Sequence, residues 1–243
     1  MQRGRSREDA RRGSGIGPSP RSVAAIVPAA GSGERARRSA SEPPKQFLTL
    51  QRRPLLTWAV DAVIEAGCSP VILVVPDGHE DMARAIVRDL DVVVVRGGAT
   101  RQVSVGNGLQ EVDTEAVVVH DAARPFASSD LVRCVIDALD DAEAVLAAVP
   151  VDETLKRLDD DERVVETIDR SVLWRAQTPA AFRTSALRDA HRKAAAEGFT
   201  GTDESQLVER YGGTVRIVPG RRDNLKVTFP EDLRLAEAMV SLR

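Results

Sequence analysis

The feature that most restricts the fold of this sequence is a series of short, almost uninterrupted aliphatic runs set apart by amphipathic stretches. The runs are residues 23–28, 71–75, 92–95, 116–120 and 144–149. A strand with one face in water alternates apolar and polar residues, so a continuous run suits a strand covered on both faces. Between the runs, residues 55–66, 80–90, 103–111 and 130–139 repeat apolar positions at helical spacing. This alternation predicts an α/β fold, a Rossmann-like, mostly parallel twisted sheet with right-handed crossovers and helices on both faces.

The alternation breaks at residues 150–170, which read as a pair of strands around the acidic turn Asp159-Asp160-Asp161-Glu162. An isolated two-stranded hairpin is marginal in water. The segment of about 150–172 is therefore expected to be a small β-arm used for dimerisation. Helices are expected near 184–197 and 203–211, a strand at 214–218 and a last helix from Glu231.

Composition narrows the class. Of 243 residues, 42% are hydrophobic but only 3% aromatic, so the core must be aliphatic. No apolar run approaches the ~18–20 residues of a membrane span, and a net charge of −3 gives no electrostatic case for a nucleic-acid partner. Two lone cysteines, Cys68 and Cys134, supply neither a disulfide framework nor a structural zinc site. Together these features suggest a cytoplasmic protein. Residues 1–21 hold six arginines against Glu8 and Asp9 and are rich in Gly, Ser and Pro. They are expected to be a disordered basic extension, leaving 22–243 as the working domain.

Ligands of open α/β sheets bind outside the carboxyl ends of the strands, and three unusual segments sit at or near such ends. The first is PAAGSGER, Pro28 to Arg35, where small residues allow backbone amides to approach a phosphate or a base. It is not a dinucleotide fingerprint, because Pro43 and Pro44 interrupt the helix that would have to follow, and no Gly-Lys-Ser/Thr makes it a P-loop. The second signal is lysine scarcity: only Lys45, Lys156, Lys193 and Lys226 occur. In so arginine-heavy a chain, Lys45 and Lys226, set in Pro-rich or apolar turns, suggest places that need a compact point charge. The third segment is HDAARP, His120 to Pro125. There Asp121 is suited to a hard cation such as Mg2+ and Arg124 to a phosphate.

Taken in order, PAAGSGER, PKQF, GGATRQVSV, HDAARP, the DR…LW…QTP stretch, TDES and DNLKVT resemble the 2-C-methyl-D-erythritol 4-phosphate cytidylyltransferase family of the non-mevalonate isoprenoid route. The resemblance spans nearly everything outside the tail. It implies a nucleotidyltransferase domain at 22–243 that moves CMP from CTP to a sugar-alcohol phosphate, with Mg2+ and with release of pyrophosphate. It also implies a homodimer with shared active sites. By the same resemblance, Arg35 and Lys45 stabilise the transition state, and Arg170 and Lys226 position the attacking phosphate. Ala29, Ala30, Gly31, Gly33, Gly98, Arg101, Ser104 and Ala122 frame the nucleotide. Asp121 is the metal residue. Arg124, Thr154, Arg170, Thr178, Thr202 and Lys226 hold the acceptor, with Thr154 and Arg170 supplied by the partner subunit. Two other readings stay open on sequence: a ribitol 5-phosphate cytidylyltransferase, and a non-catalytic nucleotide-binding regulator.

Overall fold

The computed structural model describes residues 22–31 and 44–242. The expected extension 1–21 and the expected site residues Gly33 and Arg35 lie outside the described residues. In chain order, β1 (Val23–Pro28) precedes a short hairpin of β2 (Thr49–Leu50) and β3 (Arg53–Pro54). Then come α1 (Leu55–Glu65), β4 (Val71–Val75), α2 (Glu80–Ile86), β5 (Val92–Arg96), α3 (Arg101–Leu109), β6 (Ala116–Val119), α4 (Ser129–Asp137) and β7 (Ala144–Pro150). The arm is β8 (Leu155–Leu158) with β9 (Val164–Ile168). The chain continues through β10 (Trp174–Arg183), α5 (Thr184–Glu197), α6 (Glu204–Arg210), β11 (Val215–Pro219) and α7 (Pro230–Ser241).

Seven strands make the central sheet in the order β11-β7-β10-β6-β1-β4-β5. Neighbours are parallel except at β10, which runs antiparallel to both β6 and β7. Successive side chains of a strand point to opposite faces, and β1 divides accordingly. Val23, Ala25 and Val27 enter the layer packed by α1 and α4, while Ala24 and Ile26 enter the layer packed by α3, α5 and α6. Both layers are almost wholly aliphatic, as the composition requires.

Two expectations need correction. The 92–95 run is not covered on both faces: among the described residues β5 pairs only with β4, as an edge strand, and Val93 is exposed. No strand was expected at Trp174–Arg183, yet β10 lies between β6 and β7 in the sheet. Arg175, Gln177 and Pro179 interrupt its apolar run, and its register shifts between Ala176 and Ala180 to accommodate them. The arm matches its expectation in form. Among the described residues β8 and β9 pair only with each other, and the Asp159 carboxylate accepts from the Asp161 and Arg163 amides to close the turn. Among the described residues no helix is long and apolar enough to cross a membrane.

Candidate active site

The strand order reverses around β1: the chain steps outward through β4 and β5, then returns to the other side of β1 with β6. A crevice opens beyond the carboxyl ends of strands at such a reversal. There the structure has a cavity of about 200 Å³ lined by Ala29–Gly31, Lys45, Arg101, Ser104, Asp121, Ala122 and Lys226. A wider cleft of about 480 Å³ lies on the α1 side, between Arg53, Trp58 and Ser128. The charged groups that suit phosphate chemistry converge on the smaller cavity, so we place the site there.

Each wall has a local cause. Ala29 leaves β1 with its amide bonded to the Val74 carbonyl at 2.7 Å, which directs residues 29–31 over the sheet edge. Gln46 Nε2, its side-chain amide, then donates to the carbonyls of Ala29 and Gly31, the latter at 3.1 Å, tying the glycine loop to the segment that carries Lys45. Opposite, a Cβ on Gly97 would collide with the Ala30 side chain, so only glycine permits this approach. The Gly98 amide donates to Ser104 Oγ at 3.1 Å. The Thr100 hydroxyl accepts from the Val103 amide and caps α3, which fixes Arg101 at the helix start facing the crevice.

Asp121 is the electrostatic centre. Its Oδ1 accepts from Arg101 Nε and Nη2 at 3.1 and 3.0 Å, and its Oδ2 lies 2.7 Å from Lys226 Nζ. Arg124 Nε is 4.0 Å from the same Oδ2. Burial alone would raise the Asp121 pKa, but the charges of Arg101, Lys226 and Arg124 override it and hold the carboxyl well below its usual range. Arg101 also donates to buried Glu204, whose own pKa is lifted by burial against the pull of Arg101. Lys45 Nζ donates to the Val227 carbonyl at 2.9 Å, so the two candidate lysines meet at one turn. Burial pushes the His120 imidazole down to about 4, which leaves it neutral.

Of the residues named from sequence, the structure brings Ala29, Ala30, Gly31, Lys45, Arg101, Ser104, Asp121, Ala122 and Lys226 to one cavity. Gly98 and Arg124 flank it through Ser104 and Asp121. Thr202 stands beside α6, its amide bonded to Gln206 Oε1 at 2.7 Å. Thr154 is exposed on the arm, and Arg170 at the arm's base donates to the Asp152 carbonyl, so neither lines the cavity. Thr178, expected at the acceptor, is buried, and its hydroxyl is engaged with the Asp121 amide and His120. Sequence reasoning assigned no role to Gln46, His120, Glu204 or Asn224, all of them buried polar residues at the site. A signal was available, since each sits inside a quoted motif.

The described fold can be set beside known proteins. The family described as 2-C-methyl-D-erythritol 4-phosphate cytidylyltransferase matches residues 23–242. The enzyme of that name from Symbiobacterium thermophilum is 43% identical over 224 residues, covering 90% of this chain and 92% of the relative. The one from Bacillus velezensis is 41% identical over 223 residues, covering 88% and 94%. The crystal structure of 2-C-methyl-D-erythritol 4-phosphate cytidylyltransferase from Thermus thermophilus superposes with a TM-score of 0.78 at 35% identity, covering 90% of this chain and 99% of that one. The 4-diphosphocytidyl-2C-methyl-D-erythritol synthase of Anaerococcus prevotii gives 0.80 at 33% identity, covering 91% and 99%.

Proposed function

The chain belongs to the 2-C-methyl-D-erythritol 4-phosphate cytidylyltransferase family, and from that premise we propose how its residues carry out the transfer. The enzyme moves CMP from CTP to 2-C-methyl-D-erythritol 4-phosphate and releases pyrophosphate, giving 4-diphosphocytidyl-2-C-methyl-D-erythritol. The cytosine and ribose fit the close-set backbone of Ala29–Gly31 and Gly98 with Ser104, where tight walls favour a pyrimidine over a purine. The triphosphate runs past Lys45, with Arg35 as its expected partner cation. Arg101 and Ala122 complete the nucleotide side.

The acceptor phosphate lies against Arg124, Thr202 and Lys226. Its second pKa is about 6, so at neutral pH it is mostly dianionic and needs no general base. One of its oxygens attacks the α-phosphorus of CTP and forms the new P–O bond. The bond from the α-phosphorus to the β-phosphate breaks, and its electron pair leaves with pyrophosphate. Charge accumulates on the nonbridging and leaving oxygens in this step, so fixed cations favour the transition state over the ground state. The observation that carries the assignment is the convergence of Lys45, Arg101 and Lys226 with Asp121 on one cavity at the strand reversal.

Enzymes of this family are metal-dependent, and Mg2+ is the cation we assign. No cluster of three or more His, Cys, Asp or Glu residues among the described ones would hold a metal unaided. Asp121 fits the mode magnesium favours, in which one carboxylate acts with substrate phosphates and water. When bound, the ion neutralises charge on the nucleotide phosphates.

The working unit in this reading is a homodimer. Val164, Val165, Val172 and Trp174 are exposed on and beside the arm, an apolar surface that a second copy would cover. Thr154 and Arg170 then serve the partner's acceptor. A cytoplasmic location accords with Cys68 and Cys134 both being free. The test is pyrophosphate release from CTP with 2-C-methyl-D-erythritol 4-phosphate, with ribitol 5-phosphate and with no acceptor. Release with the first alone is expected. Preference for ribitol 5-phosphate would reassign the acceptor, and CTP binding without release would make the chain a regulator.

A further inference from the structure

Four residues behind the cavity are joined in a closed circuit. His120 Nε2 lies 3.2 Å from the Arg124 carbonyl, and His120 Nδ1 lies 3.1 Å from Thr178 Oγ1. The Thr178 carbonyl accepts from Asn224 Nδ2 at 2.8 Å, and the Asn224 carbonyl accepts from Arg124 Nη1 at 2.8 Å. A fifth bond enters from the side, where the Asp121 amide donates to Thr178 Oγ1 at 3.0 Å. His120, Thr178 and Asn224 are all buried.

One placement of protons on a neutral ring makes all of these bonds together. The Asp121 amide can only donate, so it uses a lone pair of Thr178 Oγ1. With the buried ring neutral, the single Thr178 hydroxyl proton points at His120 Nδ1, which accepts it. The Arg124 carbonyl can only accept, so His120 Nε2 carries the ring proton. The neutral Nε2–H tautomer lets His120, Thr178 and the Asp121 amide make all of these bonds at once, while Arg124 Nε and Asn224 Oδ1 stay outside the circuit without a hydrogen-bond partner among the described residues.

The circuit joins three segments that are far apart in sequence. His120 to Arg124 leave β6, Thr178 sits in the irregular stretch of β10, and Asn224 belongs to the turn that carries Lys226. Gln177 strengthens the second junction: its Nε2 donates to the Arg221 carbonyl at 2.9 Å and its Oε1 accepts the Arg221 amide at 3.3 Å. On the third side, the Val227 amide donates to the Ala123 carbonyl at 2.8 Å. Asp121, Arg124 and Lys226 therefore lean on one buried frame. Buried hydrogen bonds in a low-dielectric interior strengthen one another and favour a single arrangement.

We propose that His120, Thr178 and Asn224 are positioning residues that hold Asp121, Arg124 and Lys226 in register through this ring of hydrogen bonds. None of the three is among the residues that line the cavity. The irregularity of β10 has a purpose here, since it turns Thr178 and Gln177 inward where a regular antiparallel strand would have turned only one of them. The inference rests on the transfer reaction assigned to the cavity, and its test separates the two.

Thr178→Val keeps the shape of the side chain and removes the hydroxyl, Thr178→Ser restores it, and Asn224→Ala opens the ring elsewhere. For each, kcat, the KM for CTP, the KM for the acceptor and the melting temperature are measured, with wild type alongside. Misplacing reacting groups by an ångström or less costs up to ~100-fold in rate, so Thr178→Val is expected to lose about 10-fold or more in kcat. The KM for CTP should stay within about 2-fold, because the ring does not reach the base cradle, and Thr178→Ser should recover most of the rate. The double variant Thr178→Val, Asn224→Ala should cost little more than the worse single, since a ring opened once is already open. Unimpaired kcat in Thr178→Val, equal damage in Thr178→Ser, or multiplying losses in the double variant would overturn the ring. If Thr178→Val does not fold, Asn224→Ala with its own kcat and KM values decides. Wild type that releases no pyrophosphate would instead overturn the functional assignment.

Discussion

Lys226 Nζ lies 2.7 Å from Asp121 Oδ2, while Arg101 holds the other oxygen of the same carboxylate. One buried negative charge thus organises the cations on both sides of the cavity, Arg101 on one and Lys226 on the other, which the proposed reaction assigns to the nucleotide and the acceptor. The turn that carries Lys226 is pinned by the Val227 amide donating to the Ala123 carbonyl, so in the proposed reaction Lys226 would move from this carboxylate to the acceptor phosphate by its side chain alone.

Removing that charge should be costly in two ways. Asp121→Asn leaves the Arg101 and Arg124 charges without their shared carboxylate. We predict a loss of about 3 kcal/mol in urea unfolding, the order found when one partner of a buried ion pair is deleted. The same variant should need more magnesium for a given rate. Unchanged unfolding and an unchanged magnesium titration would contradict the central place given to Asp121.

Lys45→Ala tests the chemical step. Loss of a fixed donor aimed at developing charge lowers kcat by roughly 10²–10³-fold in comparable sites. Turnover and CTP binding are to be measured separately. Near-normal turnover with weakened CTP binding would make Lys45 a ground-state contact only.

His191 gives the protein an acid sensitivity unrelated to the chemistry. Burial first, and the Arg101 charge second, push its imidazole from 6.5 down to about 4, and its Nε2 is buried without a hydrogen-bond partner. Between those two values the unfolded chain takes up a proton that the folded chain refuses. Its contribution is therefore fully present above pH 6.5 and is lost as pH falls toward 4, at up to roughly 1.4 kcal/mol per pH unit. Urea unfolding of wild type and His191→Leu from pH 7.5 to 4.5 should show a shallower slope in the variant. Parallel slopes would remove His191 from the acid response.

How far the sequence disclosed all this follows from the range of its signals. β1, β4 and β6 were legible because Val23–Pro28, Val71–Val75 and Ala116–Val119 are continuous apolar runs, a local pattern with a local cause. β10 was not, because Arg175, Gln177 and Pro179 break its run, and Gln177 grips the 221–224 turn, a demand that comes from residues more than forty positions away. The site divides in the same way. Lys45, Asp121 and Lys226 stand out by scarcity or by place at a strand end. Glu204 and Asn224 sit inside the TDES and DNLKVT motifs, but their partners Arg101 and Thr178 lie 103 and 46 positions away, and no spacing rule gives that pairing.

Subunit mixing tests the shared site. Arg170→Ala and Lys226→Ala homodimers should each be nearly inactive. A heterodimer of the two puts both lesions in one site and leaves the other intact, so it should recover about half of wild-type activity. A mixed dimer as inactive as its parents, or a stable monomer, would show that each chain works alone.

The central claim is that the cavity between β1 and β6 joins CMP directly to a phosphate monoester. Phosphorus NMR of the enzyme with CTP, Mg2+ and 2-C-methyl-D-erythritol 4-phosphate follows every phosphorus atom at once. The account predicts that the acceptor monoester signal disappears with that of CTP, and that pyrophosphate and a pair of coupled signals from one unsymmetrical diphosphate replace them in equal amounts. Loss of CTP to CMP or CDP with the monoester signal unchanged would contradict it.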